Sequence, residues 1–154
     1  MSLPYANSKA NPMQAQARIQ GTLQKFGVSR IAFEQDFVAR TLTVRLQYKE
    51  YPVCIPVEYG RLAELYIKED PYTTRKRMTR GEWEAAKREV AYRAAFSLLE
   101  DYLKSMSTIV EMGVFSFEEI FVSYFVGPGG KRLGTFFKAR LPELVSGRLA
   151  LGEG

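Results

Sequence analysis

The sequence predicts an α+β fold: an N-terminal helix, a three-stranded antiparallel meander, then a long helix and C-terminal helices. Three patterns predict it. Apolar residues first recur at helical spacing, at Ala15, Ile19, Leu23 and Phe26. They then alternate with polar ones, as Leu42, Val44, Leu46 and Tyr48 and again as Val53, Ile55, Val57 and Tyr59, the period of half-buried strands. Helical spacing returns after Thr79 and is sustained to about Met112.

Asn11 is placed to cap the first helix, and Pro12 suits its first position, where a backbone N–H is not needed. Gly27 supplies the left-handed residue beyond its end. In the meander, a two-residue turn at Lys49-Glu50 sets Tyr48 opposite Tyr51, Leu46 opposite Val53 and Val44 opposite Ile55, all on one face. Lys-Glu is not a favoured turn dipeptide, so a longer loop is the alternative. Ile31 and Phe33 form the inward pair of the first strand, on the other side of the second. Pro52 and Pro56 share parity, so both missing N–H groups point the same way. They are tolerable only pointing away from the second strand, which makes the third an edge strand and the order 1-2-3.

A short helix over about 58–69 is expected to turn Leu62, Leu65 and Tyr66 inward and to stop before Asp70-Pro71. A polar, basic loop follows over 72–79. Thr79-Arg-Gly-Glu82 matches a capping box and opens the long helix, stopped by Gly113 and about 50 Å long at the standard rise. Its apolar stripe reads Trp83, Ala86, Val90, Ala94, Leu98, Leu99, Tyr102, Leu103, Met106 and Ile109. Ser116-Phe-Glu-Glu119 is a second capping box, with Phe115 and Ile120 as a hydrophobic staple, and its helix is expected to reach about Val126. The glycine-rich stretch 127–130 leads to a last helix around 133–141, with Pro142 and the tail from Gly147 frayed.

At 154 residues the chain suits a single domain, read as 4–152, with 1–3 and 153–154 as cloning remnants. Its 22 Lys and Arg outweigh 17 Asp and Glu for a net charge of +5. The absence of histidine excludes Ser-His-Asp and Cys-His catalytic units and imidazole metal ligands. Cys54 alone excludes an internal disulfide, a CxxC redox pair and a zinc knuckle, and without an activating neighbour it reads as an inert small residue. No stretch has the length of apolar residues a membrane helix needs, and the N-terminus lacks signal-peptide character, so a cytoplasmic protein is expected.

The segment 75–93 carries Arg75, Lys76, Arg77, Arg80, Lys87, Arg88 and Arg93 against Glu82, Glu84 and Glu89. Glu84 can pair with Lys87 or Arg88, and Glu89 with Arg93, along the helix. That leaves Arg75, Lys76, Arg77 and Arg80 as candidate phosphate contacts in DNA or RNA, with Tyr72 and Trp83 able to stack on bases. Lys131 and Arg132 are the supporting candidates, in a second patch that also holds Lys138, Arg140 and Arg148. The alternative for both patches is an ordinary solvated surface.

Other motifs fail on inspection. The glycines of 127–130 superficially resemble a K-homology loop, but Pro128 stiffens it and no strand pattern follows the last helix. They also miss the P-loop pattern, since Phe125 stands at its first Gly and Arg132 at its Ser or Thr. The helix-strand-strand-strand-helix order matches the topology of a double-stranded-RNA-binding domain, yet the basic cluster expected at the second helix is absent. The paired acids Glu34/Asp36, Glu69/Asp70, Glu100/Asp101 and Glu118/Glu119 raise a metal-dependent nuclease, but nothing marks them as converging. No catalytic residue, metal or cofactor is assigned. The aromatic cluster Phe115, Phe117, Phe121, Tyr124, Phe125, Phe136 and Phe137 reads as core or as an oligomer face.

Tyr5-Ala-Asn-Ser-Lys9 and the block 94–121, closing on Ser116-Phe-Glu-Glu-Ile-Phe121, resemble certain uncharacterised phage and prophage proteins. Those proteins likewise join a small strand-rich front half to a helix, a short turn and a Phe-Glu-Glu helix. They end in a Pro-Asp-Gly-Arg-Thr type of turn, where this chain has Pro128-Gly-Gly-Lys-Arg-Leu133. The resemblance implies a mobile-element origin and carries no catalytic assignment. The reading that follows is a non-enzymatic accessory protein contacting nucleic acid. Its rival is a protein-interaction or self-assembly module using the helices, the C-terminal aromatics or the third strand's edge.

Overall fold

Asn11 accepts hydrogen bonds from the Met13 and Gln14 amides at 3.0 and 3.2 Å, satisfying two of the donors that every helix start leaves open. It thereby begins α1 (Pro12–Gln24), whose Ala15, Ile19 and Leu23 are buried, and Gly27 follows its end at φ 79°. The structure, a computed structural model, describes residues 3–146.

Strands β1 (Val28–Asp36), β2 (Thr41–Tyr48) and β3 (Tyr51–Val57) form an antiparallel sheet in the order β1-β2-β3. The two-residue turn at Lys49-Glu50 holds, with Tyr48 opposite Tyr51, Leu46 opposite Val53 and Val44 opposite Ile55. It forms without glycine because Lys49 takes φ 52° and its ammonium reaches Glu118 Oε1 at 3.3 Å. Ile31 and Phe33 stand opposite Leu46 and Val44 and are partly buried against the core. A bulge between Val28 and Arg30 shifts the pleat by one residue, so Val28 also faces inward, which period-two alternation alone does not predict.

The prolines point away from β2, as their parity requires, but the edge they make is not free. The Pro52 carbonyl accepts from Val126 N at 2.8 Å, and Val53 bridges to Phe125. The edge therefore cannot serve as an open docking strand along that stretch, and this part of the rival reading is corrected.

Helix α2 (Tyr59–Glu69) buries Tyr59, Ala63 and Tyr66, with Leu62 partly buried. Leu65 is 43% exposed, contrary to expectation. The buried stripe starts two residues after the strand ends, at Tyr59, and this phase leaves Leu65 on the outer face. Helix α3 (Arg80–Glu111) opens on the complete Thr79/Glu82 capping box and packs along both α1 and α2. Its buried residues are Ala91, Ala94, Ala95, Phe96, Leu99, Leu103 and Ser107. Ala86 and Leu98 belong to the expected stripe but are exposed, and Phe96, outside that stripe, is buried. Packing against both α1 and α2 widens the buried arc beyond a single row.

The Ser116/Glu119 capping box is also complete, but α4 (Phe117–Phe121) is much shorter than expected. A 3₁₀ turn over Val122–Tyr124 follows, and Phe125 and Val126 are recruited to the sheet edge and cannot continue the helix. Phe115, the outer half of the expected staple, is 46% exposed. Helix α5 (Leu133–Val145) runs through Pro142 beyond the expected stop. The tail from Gly147 and Arg148 of the second basic patch lie outside the described residues.

Candidate nucleic-acid interface

The first basic patch is built at the junction of α2 and α3, and Asp70 organises it. The Asp70 Oδ1 accepts from Lys76 Nζ at 3.5 Å and Oδ2 from Lys87 Nζ at 3.0 Å, while its carbonyl accepts from Trp83 Nε1 at 3.1 Å. Both ammonium groups also lie over the indole, Lys76 at 4.2 Å and Lys87 at 4.5 Å from its centroid. Lys76 is therefore already paired within the protein, with Asp70 and the indole ring. Trp83 is engaged by the chain's own lysines and is not an open stacking platform.

Arg80 is also committed, with Nε 3.2 Å from Glu84 Oε1 one turn along the helix. Glu84 was expected to take Lys87 or Arg88 instead. Glu89 pairs with Arg93 at 3.0 Å, as the spacing predicts. Of the four candidates, Arg75 and Arg77 are exposed and have no acidic partner among the described residues. Arg88, released from Glu84, joins them as an unpaired guanidinium among the described residues.

The second patch has a different construction. Gly127 N donates to the Lys131 carbonyl at 2.7 Å, Leu133 N donates to the Phe125 carbonyl at 2.8 Å, and Val126 bridges Arg132. The glycine-rich stretch is thus a tight reversal, with Gly129 and Gly130 at φ 72° and 73°, and it presents Lys131 and Arg132 on its return arm. Arg132 lies 5.9 Å from the centroid of the Tyr124 ring. It shares an open groove of about 540 Å³ with Tyr124, Thr135 and Lys138. Gly134 lets α5 approach closely, since a Cβ there would stand 2.9 Å from the Ser123 carbonyl oxygen. Arg140 is paired with Glu143 at 3.3 Å.

The two patches are not one surface. Tyr124 meets Tyr102 hydroxyl to hydroxyl at 3.3 Å, and Tyr102 stands on α3 roughly 33 Å along the axis from Arg80. Lys131 and Arg132 therefore sit toward the far end of the long helix from Arg75 and Arg77. No protein-family model, curated protein or solved structure matches the chain.

The paired acids do not converge. Glu34 bonds Arg45 at 2.8 Å, Glu118 accepts from the Tyr48 hydroxyl at 3.0 Å, and Arg18 holds Glu100. Among the described residues no three Cys, Asp or Glu side chains are grouped to hold a metal ion. No helix among them is long and apolar enough to cross a membrane. Sequence reasoning missed Phe37 and Arg40, at the tip joining β1 to β2. The signal was available: Asp36-Phe-Val-Ala-Arg40 places three apolar residues where a hairpin tip is usually polar.

Proposed function

We propose that the chain is a non-enzymatic accessory protein, of phage or prophage type, that contacts nucleic acid. The observation that carries this reading is the exposure of Arg75 and Arg77, unpaired among the described residues, in a loop partly tied down through Asp70. Backbone phosphates are the natural partner for exposed, unpaired guanidinium groups. Arg132, Lys131 and Lys138 form a second contact for a longer strand.

The test is binding of fluorescent single- and double-stranded DNA and RNA, followed by anisotropy across a salt series. Charge reversal as Arg75→Glu with Arg77→Glu is expected to weaken all sequences alike. It is also expected to flatten the slope of log affinity against log salt by about 1.4 for single strands or about 1.8 for a duplex. Salt-independent binding, or an unchanged slope in the variant, overturns the reading.

Self-assembly is the second reading, and α5 favours it. The helix buries none of its residues fully, and Phe137, Leu141 and Val145 repeat at four-residue spacing with 42, 52 and 78% exposure. Sedimentation over a range of concentrations checks this, with Leu141→Asp expected to abolish any dimer.

A further inference from the structure

The tip joining β1 to β2 is rigid, apolar and basic at once. Asp36 Oδ1 accepts from the Val38 and Ala39 amides at 2.9 and 2.8 Å, which closes the turn. Gly60 N donates to the Arg40 carbonyl at 3.1 Å, holding Arg40 at φ 57° against the start of α2. The tip presents Phe37 at 66% exposure although nothing in its own turn needs an aromatic ring there.

Behind it lies a cavity of about 220 Å³ lined by Phe37, Arg40, Tyr59, Arg88, Glu89 and Tyr92. Phe37 contacts Tyr92 at a centroid separation of 5.8 Å, and Tyr92 meets Tyr59 edge-on at 5.5 Å, so one wall is a continuous aromatic surface. The other carries two guanidinium groups with no acidic partner among the described residues, since Glu89 is bound to Arg93 at 3.0 Å. Tyr59 is only 3% exposed, and burial raises its pKa with no hydrogen bond to its hydroxyl among the described residues. The cavity thus offers an unused phenol beside two unused arginines. Arg88 stands about 12 Å along α3 from Arg80, so the cavity opens near the end of the helix where Arg75 and Arg77 project.

We infer that this cavity binds one nucleotide unit, with the base against Phe37 and Tyr92 and its phosphate between Arg40 and Arg88. The inference rests on the nucleic-acid reading for its main source, an unpaired nucleotide of a single strand; a free nucleotide carries the same chemistry. An exposed ring on a rigid tip can stack on an unpaired base but not on one held in a duplex. Planar guanidinium groups suit a phosphate, and the Tyr59 hydroxyl can bond to sugar or base.

The experiment compares wild type, Arg40→Gln with Arg88→Gln, Phe37→Ala, Phe37→Tyr and the Arg75→Glu/Arg77→Glu variant, with thermal melts to confirm folding. Labelled oligothymidylate, the matching duplex and thymidine monophosphate are titrated into each. Oligothymidylate is expected to bind more tightly than duplex, to lose at least about tenfold in the double glutamine variant and about fivefold or more in Phe37→Ala, and to recover in Phe37→Tyr. Single-strand binding that survives the glutamine and alanine changes but falls with Arg75→Glu/Arg77→Glu overturns the cavity and leaves the basic-loop reading standing. Thymidine monophosphate binding that needs Arg40 and Arg88, with no binding of either strand form, supports the cavity and overturns the nucleic-acid reading. Binding of none of the three probes overturns both.

Discussion

Trp83 Nε1 donates to the Asp70 carbonyl oxygen at 3.1 Å across thirteen residues, and this bond closes the loop between α2 and α3. The same Asp70 holds Lys76 and Lys87 through its two carboxylate oxygens. One acidic residue at a helix end therefore fixes two cations and an indole. The loop that looks freely basic in the sequence is in fact half tied down, and only Arg75 and Arg77 are left free among its described residues.

The hydrogen bond from Lys87, helped by Lys76, holds the Asp70 carboxyl below its ordinary pKa. A carboxyl lowered in the folded state stabilises the fold above its unfolded pKa, near 4, and that stability is lost as pH falls through the lower folded value. The contribution is thus intact at neutral pH and fades in the acid range. Asp70→Asn is expected to cost under about 1 kcal/mol, because the pair is exposed to solvent. Trp83 is the only tryptophan, so its fluorescence reports directly on the loop. Wild-type emission should shift to the red below about pH 4, and the variant should show that shifted emission already at pH 7. Emission that is flat with pH and identical in the variant removes Asp70 as the organiser.

Neighbouring leucines on α3 separate the expected stripe from the real one. Leu99 is 1% exposed and Leu98 is 37% exposed. Leu99→Ala is expected to cost about 2–5 kcal/mol and Leu98→Ala about 0.5 kcal/mol or less, read from urea melts. Equal costs would mean that Leu98 packs as deeply as Leu99.

Local signals in the chain translated well into elements. Asn11, Thr79 and Ser116 each cap a helix because a short side-chain oxygen satisfies amides two or three residues ahead, a purely local relation. The register of β2 and β3 was also legible, since a one-residue slip would expose Leu42, Val44 and Leu46 together. What was not legible depends on long-range contacts. Phe125 and Val126 leave their helical pattern because the Pro52 carbonyl offers a bond at the sheet edge. Arg80 competes with Lys87 for Glu84, and the outcome turns on Asp70 being available to Lys87. Arg40 and Arg88 are nearly fifty residues apart, and no spacing rule joins them into one cavity.

Ser107 is buried on α3 and its hydroxyl has no hydrogen-bond partner among the described residues. An unsatisfied buried hydroxyl costs stability, and alanine is the better helix former. Ser107→Ala is expected to stabilise the protein by about 1 kcal/mol, raising the melting midpoint by about 2–4 °C. Ser97, whose hydroxyl meets Ser8 Oγ at 3.2 Å, should show no such gain on replacement by alanine. A lower midpoint for Ser107→Ala would mean that the hydroxyl is satisfied after all.

Arg40 sets stability against binding at a single position. Its left-handed backbone, at φ 57°, costs a residue with a Cβ roughly 1–2 kcal/mol. Glycine avoids that cost but gives the unfolded chain extra freedom, worth about 0.4–1 kcal/mol. Arg40→Gly is therefore expected to equal wild type in stability or to exceed it by up to about 1.6 kcal/mol, measured by chemical denaturation. The same change removes a guanidinium from the cavity and should weaken nucleotide binding. Greater stability joined to weaker binding identifies a strained residue kept for its ligand and not for the fold. A clear loss of stability would instead make the Arg40 side chain a structural element of the hairpin tip.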